Sequence, residues 1–326
     1  GIPRVARYSQ SRQQIYVPRG GKYATLISAS RSNFGGDITI EGNQLPQGVT
    51  MHAPNMPANM STMPVVFEAA ADAPIAGGLM KFQGKHVDPA TGIQGHFKNR
   101  ADLVVAAPGQ SLYVYKDVEQ LAIAVVDELP YSLEIVQPKV PIVQSGEMAL
   151  KVLIPRKEGF NEAITLQFPF RPPGIGTRST VVVPAGATEA VYPLNAAGNA
   201  QIREWPIYVL GSANVNGTAW VSSQMATLSV AAPYVSFALE RAACEQGQET
   251  QLYGEITHTT AFEGNAQIQL LGLPNLVTTT NLEFNKETED FTFNIQTDKT
   301  SPAGKHTNVF CRITITENGE PIVFRT

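Results

Sequence analysis

Apolar and polar residues alternate in three similar stretches of the chain, at residues 20–40, 146–168 and 247–270. Each stretch has an apolar alternating run, a polar turn, a phenylalanine, a small or acidic loop and a second alternating run. Residues two apart in a strand lie on the same face, so each stretch predicts two half-buried strands joined across a turn. The chain is therefore predicted to be a repeat protein.

Three landmarks define the repeat. Its opening glycines lie 126 and 101 residues apart, a phenylalanine follows each by 14, 14 and 15 residues, and a late turn glycine follows the phenylalanine by 58, 57 and 57 residues. Such a long period is the size of a whole small β-domain and is too long for a solenoid repeat. The landmarks are Gly20, Phe34 and Gly92, then Gly146, Phe160 and Gly217, and finally Gly247, Phe262 and Gly319.

The strand-like runs between these landmarks are short, and turns recur about every 8–12 residues, which is typical of β-sandwiches. The sequence predicts an all-β chain of three tandem sandwich domains, at residues 1–130, 131–232 and 233–326. The joints at 128–130 and 231–233 are short and contain proline, so limited hinge motion is expected.

The first and third domains differ from the second in length. About 24 extra residues lie between positions 94 and 130, and they include β-like runs at 111–116 and 121–126. This extra segment, near 107–127, is predicted to be an additional strand pair or an elongated final hairpin. Only seven residues follow Gly319, so the last strand of the third domain is predicted to be truncated or to end early.

Several turn-and-strand motifs resemble the immunoglobulin-like modules found in tandem in large exported bacterial proteins, some of which also carry domains of the pre-peptidase C-terminal type. The motifs are LPQGVTM at 45–51, PVVFEAAADAPIAGG at 64–78, VVVPAGATEA at 181–190, and the closing runs FQGKH and VLGSA. The resemblance implies three tandem immunoglobulin-like β-sandwich domains, export to the cell surface, periplasm or medium, and a spacer or adhesion-like role. It transfers no functional residue.

The chain departs from antibody domains, because it has no Cys…Trp…Cys core pattern and both tryptophans, Trp205 and Trp220, lie late in the second repeat. Its 24 basic and 28 acidic residues are balanced, so no nucleic-acid partner is indicated. No apolar run approaches the roughly 20 residues that span a bilayer, so no membrane insertion is expected.

A cluster of methionines is the most pointed local feature of the sequence. Four of the seven methionines and one histidine lie between positions 51 and 63. Thioethers with an imidazole suit Cu(I), so Met51, His52, Met56 and Met60 are candidate metal ligands. The favoured alternative is structural: Met51 and Met63 would point into the core, and the other two would fill space under a proline-rich loop. No cofactor is predicted.

Histidines give no catalytic motif. The five histidines are scattered, and none lies in HExxH, GxSxG or a comparable pattern, so no catalytic residue and no enzyme are predicted. His86 and His96 flank one hairpin with Asp88 nearby and could hold zinc. A solvated histidine pair is the commoner explanation.

Exposed aromatic side chains would be needed for a glycan-binding platform. Tyr113 and Tyr115 share one face of a strand in the extra segment, which makes them candidate glycan contacts. Trp205 alternates with Ile207 and Val209 and is more simply a core residue.

Two cysteines, Cys244 and Cys311, both lie in the third domain. A disulfide between them would close a loop of about 67 residues and contribute roughly 3–5 kcal/mol. The alternative is two free thiols that behave as small apolar residues.

The function predicted from the sequence is a non-catalytic spacer or interaction region of a larger exported bacterial protein. Its expected partners are other domains of the parent protein, or a protein or polysaccharide of the cell envelope. Carbohydrate-binding accessory domains are the first alternative, and a Met/His metal-binding module is the second.

Overall fold

A computed structural model of the protein describes residues 14–105 and 112–326. In these residues the fold is all-β, and the only helical element is a 3-10 turn at Pro89–Thr91. The predicted all-β, immunoglobulin-like fold is confirmed, because mainly antiparallel sheets pack face to face around buried apolar cores, whereas the number of domains stays a prediction.

The N-terminal sandwich contains the first ten strands. One sheet has the order β1-β10-β6-β3, with β7 on β6, and the facing sheet has the order β2-β5-β4. Alternation places Leu121, Ile123 and Val125 of β10 in the core. The strands are β1 (Gln14–Pro18), β2 (Lys22–Ser28), β3 (Ile38–Asn43), β4 (Val49–His52), β5 (Thr62–Ala69), β6 (Gly77–His86), β7 (Gln94–His96), β8 (Asn99–Val105), β9 (Leu112–Val118) and β10 (Leu121–Val126).

The extra segment near 107–127 contributes β9 and β10, which do not pair with each other, and its residues 107–111 lie outside the described part of the chain. β8 and β9 pair with each other, from Asn99↔Val118 to Val105↔Leu112, in a separate two-stranded sheet. The closing strand of the sandwich is β10, which runs antiparallel to β6 and parallel to β1.

The middle sandwich contains eleven strands. The order β11-β13-β17-β15 forms one layer, and the orders β16-β14-β19-β20 and β12-β21-β18 form the other. Tyr192, Leu194 and Ala196 of β17 alternate into the core. The strands are β11 (Glu134–Ile135), β12 (Ile142–Val143), β13 (Gly146–Leu153), β14 (Ile164–Gln167), β15 (Ile175–Thr177), β16 (Thr180–Val183), β17 (Glu189–Ala196), β18 (Arg203–Ile207), β19 (Leu210–Asn214), β20 (Thr218–Ser222) and β21 (Ala226–Ala231).

The C-terminal sandwich pairs the sheet β22-β23-β27-β25 with the sheet β29-β28-β24-β26. The first sheet contains the first, second, fourth and sixth strands of this sandwich and the second sheet contains the third, fifth, seventh and eighth, so the chain crosses repeatedly between the two sheets, as in immunoglobulin-like sandwiches. Phe291 and Phe293 of β27 are buried in its core. The strands are β22 (Val235–Leu239), β23 (Glu249–His258), β24 (Ala266–Leu271), β25 (Val277–Thr278), β26 (Leu282–Phe284), β27 (Asp290–Thr297), β28 (Phe310–Glu317) and β29 (Glu320–Arg325).

Tight turns close the last hairpins of the middle and C-terminal sandwiches. Asn318 and Gly319 have φ angles of 50° and 78°, and Asn216 and Gly217 have φ angles of 52° and 125°. Asparagine followed by glycine tolerates these positive angles, which match the twist of a hairpin. β29 pairs with β28 over its whole length of six residues.

The three sandwiches share sheets and cores. One buried cluster contains residues of both the N-terminal and middle sandwiches, and one sheet contains strands of both the middle and C-terminal sandwiches. The predicted domain limits at 130/131 and 232/233 therefore stay a prediction.

Candidate functional site

A continuous sheet forms the joint between the middle and C-terminal sandwiches. β13 pairs antiparallel with β29 at Gly146↔Phe324 and Glu147↔Val323. The main-chain N–H of Arg325 also donates to the carbonyl of Ser145 at 3.1 Å. Together these bonds connect strands β15-β17-β13-β29-β28-β24-β26 in one sheet, which restricts rotation about the joint.

Side chains reinforce this joint. The Arg312 guanidinium forms an ion pair with the Glu147 carboxylate, and the N–H of Lys139 donates to Glu320 Oε2 at 2.9 Å. The ion-pair partners are partly exposed, so the pair itself contributes little free energy. Val143 is 1% exposed and packs in the C-terminal core, which adds apolar burial to the hydrogen bonds.

A cavity of about 700 Å³ lies beside the joint. Arg325 stacks over the Phe310 ring there at 5.0 Å, and Arg312 faces Glu147. Its charged groups therefore serve packing and pairing across the sheet, and the cavity has no histidine or cysteine in its lining.

The joint between the N-terminal and middle sandwiches is made by packing. β2 and β5 lie against β20 and β18. Ala24 and Val66, on the outward faces of β2 and β5, are 3% and 1% exposed and belong to the same buried cluster as the middle core. Arg203 Nη1 donates to Asn59 Oδ1 at 2.9 Å across the contact. Apolar side chains are therefore buried between these two sandwiches.

A second cavity, of about 540 Å³, lies at the chain crossing between these two sandwiches. Its basic residues are largely matched by acidic partners, so it offers little uncompensated charge. The ion pairs are Arg19 with Asp127 at 3.3 Å, Lys22 with Glu68 at 3.0 Å, and Lys157 with Glu128.

The structure does not bring the candidate metal ligands together. Met56 and Met60 are 0% and 6% exposed in the cluster shared by the first two sandwiches, whereas Met51 packs against the N-terminal core. His52 is exposed and follows Met51 in β4, so the two side chains point to opposite faces. In addition, the Arg31 guanidinium donates to the carbonyls of Met56, Pro57 and Met60, and these hydrogen bonds fix the main chain of the loop between β4 and β5.

His52 takes part in a surface charge network. Its Nε2 lies 3.2 Å from Glu68 Oε2, and Lys22 Nζ lies 3.0 Å from Glu68 Oε1. Partial burial on its own would raise the pKa of Glu68, but the hydrogen bonds and charges of Lys22 and His52 outweigh it and lower that pKa. The histidine is thus a partner of a carboxylate.

The other histidine pair also has local partners. His86 Nδ1 accepts from the Asp88 N–H at 3.0 Å, and Nε2 donates to the Gly35 carbonyl at 3.0 Å, so both ring nitrogens are engaged. His96 is exposed on β7. Within residues 14–105 and 112–326, no group of three or more histidine, cysteine or acidic side chains is placed to hold a metal ion.

Aromatic side chains of the middle sandwich are mostly internal. Trp205 and Tyr208 are each 2% exposed, Tyr192 is fully buried, and Trp220 is half-buried. The backbones of Tyr113 and Tyr115 lie in β9, but their side chains are outside the described part of the chain. In the described part, no row of exposed aromatic rings forms a platform.

The two cysteines are free, so of the two alternatives, a disulfide or separate thiols, the structure has separate thiols. Cys311 is 0% exposed in the C-terminal core, where burial raises its pKa to about 12. Cys244 is exposed in the loop before β23, with its Sγ 3.9 Å from Thr297 Oγ1. One thiol is therefore in contact with solvent and the other is enclosed in the core.

Sequence reasoning missed the residues that join β13 to β29. Glu147 and Arg312 are ordinary surface charges in the sequence, and their pairing depends on strands 165 residues apart. The available signal was the apolar pair Val140 and Val143 in a segment that otherwise resembles a linker, because such residues need a core to bury them.

No helix in the described residues is long and apolar enough to cross a membrane.

No family model and no curated protein matches the chain. Among solved structures, it is similar to three tandem FN1-FN3 domains of chicken CNTN1, at 11% identity over 97% of this chain and 96% of that chain, with a TM-score of 0.23. Fibronectin(III)-like modules of Clostridium thermocellum CbhA match at 9% identity over 68% of this chain and 90% of that chain, with a TM-score of 0.20.

A protein of unknown function from Porphyromonas gingivalis matches at 12% identity over 60% of this chain and 98% of that chain, with a TM-score of 0.23. Likenesses at these TM-scores carry no argument about function.

Proposed function

We propose that the chain is a non-catalytic structural segment of a larger exported bacterial protein, which holds the parts of that protein on either side of it at a set distance and orientation. The observation that carries the proposal is the sheet that runs unbroken from β15 through β13 and β29 to β26. Main-chain hydrogen bonds across a joint remove the rotation that a flexible linker allows.

Packing at the other joint supports the same role. The outward face of β5 is buried against the middle sandwich, so a swing of the N-terminal sandwich would expose apolar surface. Export is proposed from the resemblance of the sequence motifs alone. The proposed partners are the neighbouring domains of the parent protein, or a protein or polysaccharide of the cell envelope.

Spin-label distance measurements test the rigidity of the β13–β29 joint. Cys244 is exposed and accepts a label, Cys311 is buried and does not, and Val182→Cys adds a second label on the middle sandwich, where Val182 is 64% exposed. We expect one narrow distance distribution. A broad distribution in the otherwise natural sequence would contradict a rigid spacer.

Charge reversal shows whether the joint produces that narrow distribution. Glu147→Lys sets two cations against each other at Arg312, so we expect the distance distribution to broaden. Glu263→Lys is the matched control, because it reverses the ion pair with Lys286 inside the C-terminal sandwich. It should leave the distribution unchanged.

Incubation with insoluble polysaccharides tests the carbohydrate-binding alternative. A spacer is expected to stay in solution with every polysaccharide, and selective depletion by one of them would replace the spacer proposal with glycan binding. Tyr113→Ala with Tyr115→Ala would then show whether the candidate contacts carry it.

A further inference from the structure

The first residues of β23 are the structural equivalent of the first residues of β13. The Ile154 N–H donates to Thr188 at 2.8 Å, and the Ile256 N–H donates to Glu289 at 2.8 Å, each just beyond the paired length of the neighbouring strand. Glu147 and Glu249 lie seven residues before these isoleucines. The two glutamates therefore occupy the same position in their sandwiches.

Two further features support this equivalence. The carbonyls of Lys151 and Tyr253, four residues after the glutamates, accept from the N–H groups of Val136 at 3.0 Å and Glu240 at 2.9 Å, which directly follow the first strand of each sandwich. Ser145 and Gly247, two residues before the glutamates, have φ angles of 59° and 76°. Both strands thus begin with the same left-handed bend.

The outer edges of the two strands differ in what covers them. On β13 the edge at Ser145 and Glu147 is covered by β29. On β23 the carbonyl of Gln248 and the N–H of Ile256 form hydrogen bonds on the side of β27. Main-chain groups of successive residues alternate between the two edges of a strand, so those of the odd-numbered residues face the other edge, on the side of β22. β22 covers that edge only as far back as Tyr253.

The main-chain groups of Glu249 and Gln251 are therefore open. No strand, loop or side chain in the described part of the protein bonds to them on this edge. Both side chains are exposed, and the whole loop at 241–246 is exposed as well. Glu249 accepts from Gln296 Nε2 at 3.3 Å, and no cation is paired with it in the described residues. We refer to residues 247–251 as the open edge.

We propose that the open edge binds the closing strand of another sandwich of the same fold, in the manner in which β13 binds β29. The existing joint indicates what the ligand needs. It needs an extended strand that pairs antiparallel with the open edge, as β29 pairs with β13. It also needs a cation on the neighbouring strand of the ligand, which would face Glu249 as Arg312 of β28 faces Glu147. The inference rests on the proposed structural role, and it adds the surface at which a further sandwich would be joined to the C-terminal one.

A second copy of this chain is not the ligand. Its closing strands β10, β21 and β29 are already covered by β1, β12 and β13 at the edge in question. The ligand is therefore a sandwich whose closing strand has an uncovered edge.

A peptide with the sequence of the closing hairpin, residues 310–326 with Cys311→Ser, tests the proposal against the whole chain. The intramolecular β29 keeps the β13 edge occupied, because a tethered strand has an effective concentration in the millimolar range. The open edge is therefore the edge that remains available to a fluorescently labelled peptide, and we expect saturable binding when fluorescence anisotropy is measured. Binding no tighter than that of a scrambled peptide overturns the proposal.

Variants locate the binding. Glu249→Lys should weaken it about fivefold, because one exposed charge contact contributes little free energy, and Gln251→Pro should abolish it, since proline removes the outward N–H. Glu287→Lys makes the same charge change at an exposed site in the loop before β27 and should leave the affinity within twofold. Equal loss in Glu249→Lys and Glu287→Lys overturns the proposal, because net charge would then explain the binding.

Sedimentation of the chain without peptide tests whether a second copy of the chain binds at the open edge. A monomer is expected, and a dimer that Glu249→Lys dissolves would overturn the choice of ligand in favour of a second copy. The spin-label distances do not involve the open edge. A rigid joint without peptide binding therefore contradicts this inference alone, and a mobile joint contradicts the proposed function.

Discussion

At the residue scale, burial separates side chains that look alike in the sequence. Met51, His52, Met56 and Met60 are neighbours along the chain, but strand alternation and two different cores send them to different places. The cysteines likewise share a domain but not an environment. Proximity in sequence made these residues candidate metal ligands beside the favoured structural alternative, and packing places them apart.

Thiol titration tests the environments of the cysteines. In the native protein near pH 8 we expect one thiol, Cys244, to react with a disulfide reagent, because only the thiolate is nucleophilic and burial raises the pKa of Cys311 to about 12. Two thiols should react after unfolding. Cys244→Ser should leave none reactive in the native state, and a native chain that needs reduction before any thiol reacts would show a disulfide instead.

At the element scale, strand β5 of the N-terminal sandwich is buried on both of its faces. Val65 and Phe67 point into the sandwich's own core, whereas Val66 points outward and is nevertheless 1% exposed. A strand that is apolar on both faces is typical of a sheet covered on both sides. β5 therefore links the folding of its sandwich to the contact with β18.

Matched valine truncations test this double burial. Val66→Ala should lower the free energy of unfolding by about 2 kcal/mol, the cost of removing two buried carbons and leaving a small cavity. Val182→Ala, at the 64% exposed position of β16, should change it by no more than about 0.5 kcal/mol. Urea denaturation gives both values, and equal small effects would mean that the outward face of β5 is in contact with water.

At the scale of the whole molecule, buried acids that hold their protons make the fold sensitive to alkali. Burial raises the pKa of Tyr131 and of Tyr208, that of Tyr234 to about 12 and that of Cys311 to about 12. These groups are distributed over the middle and C-terminal sandwiches. Their ionisation therefore acts on the assembly of cores and not on one local site.

Stability should fall as pH rises above about 8.5, where the thiol of the unfolded chain begins to ionise, and fall more steeply above about 10, where its phenols ionise. Over this range the unfolded chain has released protons that the folded chain retains, so the unfolded state binds fewer protons and the free energy of unfolding decreases. Below pH 8 this contribution is fully present.

Urea midpoints measured from neutral to alkaline pH test the decrease. Tyr208→Phe removes one buried phenol without changing shape and should make the decline above pH about 10 shallower. A midpoint that stays constant or rises with pH would mean that these groups titrate as they do in water.

The sequence by itself determined the strands and the repeat, because alternation and turn chemistry act over a few residues. The Asn-Gly turns and the alternating runs of β17 and β27 lie where their local pattern places them. It also showed the extra β-like runs of the first repeat but not their partners: most of the run at 111–116 lies in β9, which pairs with β8, and the run at 121–126 is β10, which pairs with β1 and β6.

Only the tertiary structure decided how the repeats are joined. The pairing of β13 with β29, the contact of Glu147 with Arg312 and the burial of Val66 depend on surfaces far apart in the chain. An edge strand or a surface charge has the same local sequence whether it meets water or a neighbouring sandwich. Its partner is set by shape and hydrogen bonding between whole sheets; the linear pattern shows only that apolar residues such as Val140 and Val143 need a core, and does not show which core.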